Sequence, residues 1–134
     1  MRTKREYLDL LDETVKYYSE DPSRRAVAKN TNGDTICRYR TEDNRKCAVG
    51  RCLETYNPMI ENWSVDKKDF TASGDFIVKE EYFFEKYKGF NRSFWTQLQL
   101  LHDGESYWNE KGLSEDGSWD FANICKNIED GVFC

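Results

Sequence analysis

Residues 3–22 read TKREYLDLLDETVKYYSEDP, a stretch that predicts a long amphipathic helix. Thr3, with Glu6 three residues later, has the pattern of a capping box, in which each side chain satisfies a free backbone N–H group of the other residue. Apolar side chains then recur at helical spacing, at Leu8, Leu11, Val15 and Tyr18. The sequence therefore predicts a helix from about residue 4 to residue 19, and Pro22 ends it.

A short hairpin is predicted directly after this helix. Residues 25–29 and 35–40 are runs that favour β-structure, and Asn32-Gly33 between them supplies the positive φ angles of a tight turn. A polar turn over residues 41–44 follows. It leads into residues 47–53, which are predicted to form a short helix.

The second half of the chain predicts three further helices, over residues 77–88, 94–103 and 119–129. Each ends near a glycine, and Ser93 and Ser118 are the predicted N-terminal caps of the last two. Residues 58–75 are predicted to be rich in loops. The expected fold class is therefore α+β: a helix-dominated single domain, residues 1–134, with a small antiparallel sheet near the N-terminus.

The composition excludes several classes of protein. The chain has 134 residues and a net charge of −5, and it relies on 8 Tyr, 8 Phe and 4 Trp to fill a core because aliphatic side chains are few. No apolar run approaches the ~18 residues that a membrane span needs, and the N-terminal stretch lacks the apolar segment of a secretory signal. We therefore expect a cytoplasmic protein whose five cysteines are reduced.

Residues 37–51, which read CRYRTEDNRKCAVGR, are the most informative stretch for function. They place cations around a turn that is predicted to lead into a helix N-terminus, where free N–H groups favour an anion. Arginine side chains hold phosphate oxygens in bidentate fashion, and an aromatic ring among them can stack on a base. The stretch predicts a pocket for an anionic small molecule such as a nucleotide, although these charges can equally form a solvated rim of the hairpin. The predicted ligand-binding residues are Arg38, Tyr39, Arg40, Arg45, Lys46, Arg51, Trp95 and His102.

Trp95 joins this set because it belongs to an aromatic-rich segment over residues 82–95. Its members are Tyr82, Phe83, Phe84, Tyr87, Phe90, Phe94 and Trp95. One short helix cannot turn all of them inward, so some are expected to wall a stacking pocket or to contact another protein. The alternative is that the segment is an aromatic core.

Two sequence patterns resemble a family of small proteins from phages and prophages. The family pattern is C-x-Y-R, a polar turn, C-A-[VI]-G-x-x-[LI] and a later L-Q-x-x-H-D. The matching residues are Cys37, Tyr39, Arg40, Cys47, Ala48, Val49, Gly50, Leu53, Leu98, Gln99, His102 and Asp103. The chain departs from the pattern at Asn44, where a turn glycine is common, and at Arg51-Cys52. The resemblance implies a viral setting, in which small accessory proteins act against host machinery or host defence, and it implies no particular activity.

Cys47 and His102 suggest an alternative, a cysteine-dependent hydrolase. A cysteine at a helix N-terminus has a stabilised thiolate, and a histidine nearby can act as its base. Asp103 is not expected to orient His102, because adjacent positions on a helix point in different directions. The favoured interpretation is that Cys47 and His102 are packed core residues and that the chain is not an enzyme.

The expected function is that of a phage-type accessory protein that acts by binding in the cytoplasm of an infected bacterial host. It would sequester a nucleotide-type immune signal or inhibit a host defence protein. The other alternative is a structural protein that assembles into a homo-oligomer. No cofactor or metal is predicted, because the cysteines lack C-x-x-C spacing and the chain has a single histidine. A membrane, DNA and RNA are not expected as partners, since the acidic balance opposes attraction to phosphate polymers.

Overall fold

Three α-helices and two short antiparallel sheets build the described part of the chain. The structure is a computed structural model, and it describes residues 2–29, 35–37, 39–41, 43–55 and 80–133. The helices are α1 (Lys4–Glu20), α2 (Arg92–Asp103) and α3 (Glu115–Glu129). The strands are β1 (Val27–Lys29), β2 (Thr35–Cys37), β3 (Trp108–Asn109) and β4 (Gly112–Leu113).

The architecture is helix-dominated α+β, as the sequence predicts. β1 pairs with β2 so that Ala28 lies opposite Ile36. The β-structure is not restricted to the N-terminal part of the chain, however, because β3 pairs with β4 between α2 and α3. Strands of two residues are too short to produce an alternating pattern, so the sequence did not predict this second sheet. Among the described residues, no helix is long and apolar enough to cross a membrane.

α1 begins and ends almost where the sequence predicts. Its capping box is present: the Glu6 N–H donates to Thr3 Oγ1 at 3.2 Å and the Thr3 N–H donates to Glu6 Oε1 at 3.0 Å. Its buried face is rotated from the predicted stripe, because Leu8 and Val15 are only half-buried. The residues that α1 buries are Tyr7, Leu10, Leu11, Thr14 and Tyr18.

α2 and α3 both begin earlier than predicted. The cap of α2 is Asn91, whose side chain accepts from the Ser93 N–H at 2.7 Å. The cap of α3 is Ser114, whose hydroxyl accepts from the Gly117 N–H at 3.1 Å. The predicted caps, Ser93 and Ser118, lie inside the helices. The residues by which each helix begins early carry no large apolar side chain: they are Arg92 and Ser93 in α2 and residues 115–118 in α3. An apolar repeat therefore shows only the part of the helix that packs on the core.

The helix predicted over residues 77–88 is wrong for its described part. The chain forms two 3₁₀ turns instead, Glu80–Tyr82 and Glu85–Tyr87. Between them, Phe83 pairs with Leu53 as an isolated β-bridge, and the Phe84 N–H donates to the Cys52 carbonyl at 3.0 Å. Hydrogen bonds to a segment distant in sequence therefore replace helical ones. The Asn32-Gly33 turn and the loop predicted over residues 58–75 lie outside the described residues.

Residues 47–53 form no helix beyond a single 3₁₀ turn, Gly50–Cys52. Gly50 is required there, because a Cβ on it would lie 1.9 Å from the Tyr39 carbonyl oxygen. The preceding turn places Asn44 at φ 65°, a left-handed conformation that asparagine adopts more readily than most residues.

Aromatic rings form a large part of the described core. Tyr7 contacts the rings of Phe90, Phe94 and Phe133 with centroid distances of 5.0, 4.8 and 5.6 Å. Five of the seven aromatic residues predicted as a cluster are buried, whereas Tyr82 is half-buried and Phe84 is 40% exposed. The buried members are Phe83, Tyr87, Phe90, Phe94 and Trp95. The aromatic segment is therefore mainly core.

Candidate functional site

Arg45, one of the predicted phosphate-binding residues, is held by groups of the protein itself. Its Nε lies 3.0 Å from both carboxylate oxygens of Asp43. A terminal nitrogen of the same guanidinium donates to the Arg25 carbonyl at 3.0 Å. Hydrogen bonds from Thr41 and Arg45 lower the pKa of Asp43, so the charge of Arg45 is balanced within its own turn.

Arg51 is even more firmly engaged, since its side chain is only 13% exposed. Its guanidinium donates to Glu13 Oε2 at 2.8 Å and to the Tyr87 hydroxyl at 3.3 Å. The Tyr87 hydroxyl in turn donates to Glu13 Oε2 at 2.8 Å. Burial by itself would raise the pKa of Glu13, but the hydrogen bonds from Arg51 and Tyr87 outweigh it and lower that pKa. Arg51 therefore joins the 3₁₀ turn to α1 and presents no open anion site.

Among the described residues, the remaining predicted ligand-binding side chains do not line the cleft that the structure shows. Tyr39, Trp95 and His102 are buried, so the structure does not present their rings at the surface, and their part in ligand binding stays a prediction. Arg40 and Lys46 are half-buried and pair across the antiparallel bridge that closes the turn. Arg38 lies outside the described residues. The predicted helix N-terminus is also missing, because residues 50–52 form only a 3₁₀ turn.

His102 lies at the centre of a buried polar network. The Ala26 N–H donates to its Nε2 at 3.4 Å, and its Nδ1 lies 2.8 Å from Asp103 Oδ1. The proton of the neutral imidazole therefore resides on Nδ1, and burial lowers the pKa of the ring. The expectation that Asp103 cannot orient His102 is wrong. Asp103 is the last residue of α2, where no following helical turn confines its side chain.

Gln99 extends this network to the segment C-A-V-G, residues 47–50. Its Oε1 accepts from the Val49 N–H at 3.0 Å, and its Nε2 donates to Asp103 Oδ1 at 2.7 Å. The segments C-A-V-G and L-Q-L-L-H-D thus contact each other through the buried hydrogen bond between Val49 and Gln99. In this structure their polar residues position α2 against the loop, which is a structural role.

Cys47 is not arranged as an exposed nucleophile. It is 1% exposed, and its Sγ accepts from the Gly50 N–H at 3.2 Å. Both ring nitrogens of His102 are engaged by Ala26 and Asp103, so the histidine is not presented to the thiol as a free base. Within the described ranges, no group of three or more His, Cys, Asp or Glu side chains is arranged to hold a metal ion.

A cleft of about 190 Å³ lies between α1 and residues 86–90. Its charges are mostly balanced, because Arg2 pairs with Glu6 at 2.6 Å and Glu13 pairs with Arg51 at 2.8 Å. These pairs leave little unmet charge to attract a ligand. The lining residues are Arg2, Glu6, Asp9, Leu10, Glu13, Lys86, Tyr87 and Phe90.

Among the large apolar side chains of the described residues, Trp119 on α3 is the most exposed, at 72%. The apolar side of the helix, which includes the buried Ile124 and Ile128, points away from it. Glu115 and Asp116, both exposed, precede it by four and three residues and so lie on the same side of the helix. We call Glu115, Asp116 and Trp119 the Trp119 face.

The sequence contains a signal for Trp119, although this residue was not among the predicted binding residues. Trp119 is two positions before Phe121, which places it about 200° around the helix from the apolar stripe. A tryptophan on the polar side of an amphipathic helix is unnecessary for folding. Its position relative to Phe121, Ile124 and Ile128 would have singled it out.

Comparison with known proteins adds no relative. No protein-family model, curated protein or solved structure matches the chain. The resemblance to small phage proteins therefore stays a prediction.

Proposed function

We propose that this chain is a small binding protein that docks a partner protein through the Trp119 face. In the setting that its sequence resemblance implies, it is a phage-type accessory protein and the partner is a host defence protein that it inhibits. Docking through an exposed tryptophan with acidic neighbours is the form of action that the described surface supports best.

The observation that carries this proposal is the exposure of Trp119, at 72% of its full area. Tryptophan buries roughly 150–250 Å² when it packs, so leaving it in water forgoes a large hydrophobic gain. Tryptophan is also enriched among the few residues that dominate binding energy at protein interfaces. A partner that covers the indole recovers the free energy that folding of this chain leaves unused.

Sequestration of a nucleotide signal by residues 38–51 draws less support. Arg45 and Arg51 are paired with Asp43 and Glu13, and Tyr39 is buried. A ligand would have to break these contacts before it could use the charges. The hydrolase alternative is equally short of support, because Cys47 is buried.

The test is capture of a partner from bacterial lysate by tagged protein, compared among the wild type, Trp119→Ala and Phe84→Ala. Phe84 is the matched control, since it is also an exposed aromatic but lies outside α3. We expect the partner to be lost with Trp119→Ala, because removing a central interface tryptophan typically costs at least ~2 kcal/mol, about 30-fold in affinity.

Phe84→Ala should retain the partner, and both variants should melt within a few degrees of the wild type. A partner captured equally by Trp119→Ala and the wild type would contradict the proposed docking face. Equal loss in both variants would also contradict it, since the effect would then not be specific to α3.

A further inference from the structure

We infer that the partner presents a basic surface whose arginine stacks on the Trp119 indole and pairs with Glu115 and Asp116. The inference rests on the proposed function, because it names the chemistry of the partner at the same face. Three observations support it: the geometry of the face, its uncompensated charge, and the way this chain binds its own arginines.

Helical spacing places the Cβ atom of Trp119 next to those of Glu115 and Asp116. In an α-helix every Cα–Cβ bond tilts toward the N-terminus, so a side chain covers the turn that precedes it. Trp119 therefore leans toward the turn of Glu115 and Asp116, whose Cβ atoms are expected about 5–6 Å from its own. A guanidinium over the ring, within about 6 Å of its centroid, can reach carboxylates at this distance.

The charge of the face is not balanced by the described residues. The ion pairs found among them include neither Glu115 nor Asp116. Lys126, the nearest cation along α3, is seven residues from Trp119, about 10 Å along the axis, and lies 3.7 Å from Asp130.

Asp120, beside Trp119, is half-buried, and burial raises the pKa of its carboxyl group. Acidic residues in the first turn also stabilise α3 through the helix dipole. That effect accounts for Glu115 and Asp116 but not for a tryptophan beside them.

Other arginines of this chain show what such a face holds. The Arg2 guanidinium lies 4.7 Å from the centroid of the Phe90 ring while it pairs with Glu6 at 2.6 Å.

Arg24 repeats the arrangement: its guanidinium lies 4.6 Å from the centroid of the Tyr17 ring and pairs with the Glu20 carboxylate at 3.3 Å. The Arg51 guanidinium lies 5.6 Å from the centroid of the Tyr87 ring and pairs with the Glu13 carboxylate at 2.8 Å. The Trp119 face has the aromatic ring and the carboxylates of these sites, and the partner supplies the arginine.

Arginine fits this site better than lysine. Its guanidinium is planar, so it can stack on the indole and still donate two parallel hydrogen bonds to a carboxylate. An ammonium group is a compact point charge that lacks both features. A second copy of the chain is a poorer occupant, because a net charge of −5 on each copy opposes association.

The probe is a nine-residue oligo-arginine peptide, with oligo-lysine and oligo-glutamate peptides of equal length for comparison. Binding is measured by calorimetry at low and at 0.5 M salt. The proteins are the wild type, Trp119→Ala, the double variant E115Q/D116Q, and E129Q/D130Q, which removes two charges from the far end of the same helix.

We expect the wild type to bind oligo-arginine more tightly than oligo-lysine and not to bind oligo-glutamate. Affinity for oligo-arginine should fall at least tenfold in Trp119→Ala and in E115Q/D116Q, and less than threefold in E129Q/D130Q. High salt should weaken the binding. Absence of oligo-arginine binding, or equal losses in both double variants, would overturn the inference, because attraction would then be absent or unspecific.

The failure of this inference can be told apart from failure of the proposed docking face. If E115Q/D116Q captures the lysate partner normally while Trp119→Ala does not, the face stands and the arginine assignment falls. If Trp119→Ala captures the partner normally, the docking face itself falls. Light scattering that shows dimers in the wild type but not in Trp119→Ala would identify a second copy as the occupant and overturn the inference.

Discussion

His102 is a residue whose surroundings decide its chemistry. A histidine in a helical pattern next to an aspartate looks like a base with an orienting partner. Here the ring is buried and T-shaped against Tyr18, with centroids 4.9 Å apart, and both nitrogens are engaged by Ala26 and Asp103. The network holds α2 in place and keeps the imidazole neutral, because a charged ring in this position would lose its hydration.

The buried histidine predicts a pH-dependent stability. Burial lowers the pKa of His102 in the folded protein below its ordinary value of 6.5, so the unfolded chain binds the proton more readily. The stabilising effect of the neutral ring is fully present above pH 6.5 and is lost as the pH falls through the folded pKa. Unfolding by guanidinium at pH 8 and pH 5.5 should therefore show a lower free energy of unfolding at pH 5.5.

His102→Gln serves as the control for this prediction, since glutamine does not titrate in this range. We expect the variant to be less stable than the wild type at pH 8, with a smaller difference between the two pH values. An unchanged difference would show that other groups cause the pH dependence.

At the scale of elements, side-chain caps set where the helices begin. α3 begins behind Ser114, whose hydroxyl accepts from the Gly117 N–H and donates to the Ser106 carbonyl at 2.5 Å. Ser118 lies within the helix and is exposed. The two serines therefore have different roles, although each stands at a place where a helix can start.

A pair of substitutions separates these roles. Ser114→Ala should lower the free energy of unfolding by about 1 kcal/mol, because the first turn loses its cap. Ser118→Ala should leave stability within about 0.5 kcal/mol, since alanine is at least as good a helix former in an exposed helical position. Thermal unfolding of both variants measures the difference. Equal destabilisation by the two substitutions would place the start of α3 elsewhere.

At the scale of the whole molecule, the two ends of the described chain close one core. The Tyr7 hydroxyl in α1 donates to the Phe133 carbonyl at 3.3 Å and accepts from the Asn91 N–H at 2.8 Å. The Phe133 ring packs against Tyr7 and Phe94. A residue near the C-terminus therefore completes the contact between α1 and α2.

Substitution at the C-terminal end tests this closure. Phe133→Ala should destabilise the protein by about 3 kcal/mol or more, the usual cost of emptying a buried phenylalanine site. Val132→Ala is the adjacent control, because Val132 is 56% exposed and its loss should cost less than about 0.5 kcal/mol. Chemical denaturation gives both values. A tolerant response to Phe133→Ala would mean that the end of the chain does not contribute to the core.

Features that depend on neighbours within a few residues could be predicted from the sequence. The capping box of Thr3 and Glu6, the stop of α2 at Gly104 and the helix-dominated α+β class follow from local hydrogen bonding and periodicity. The extra aromatic residues were also visible from composition. Composition does not show which of these aromatic residues are buried, because burial depends on the segments that pack against them.

Other features depend on contacts between segments that are far apart in the chain, and these became visible in the folded molecule. The backbone of residues 80–88 forms 3₁₀ turns because Phe83 pairs with Leu53, and the cations of residues 45 and 51 are neutralised by Asp43 and Glu13. Glu13 and Leu53 are distant in sequence from the residues they contact and so leave no local pattern, and the count of charges did not show that Asp43 and Glu13 pair with these two cations. Trp119 became a candidate interface residue because, among the described residues, it lacks such contacts and is exposed. Its neighbours in sequence are those of any amphipathic helix, and only the packed molecule shows that the described residues leave it largely exposed.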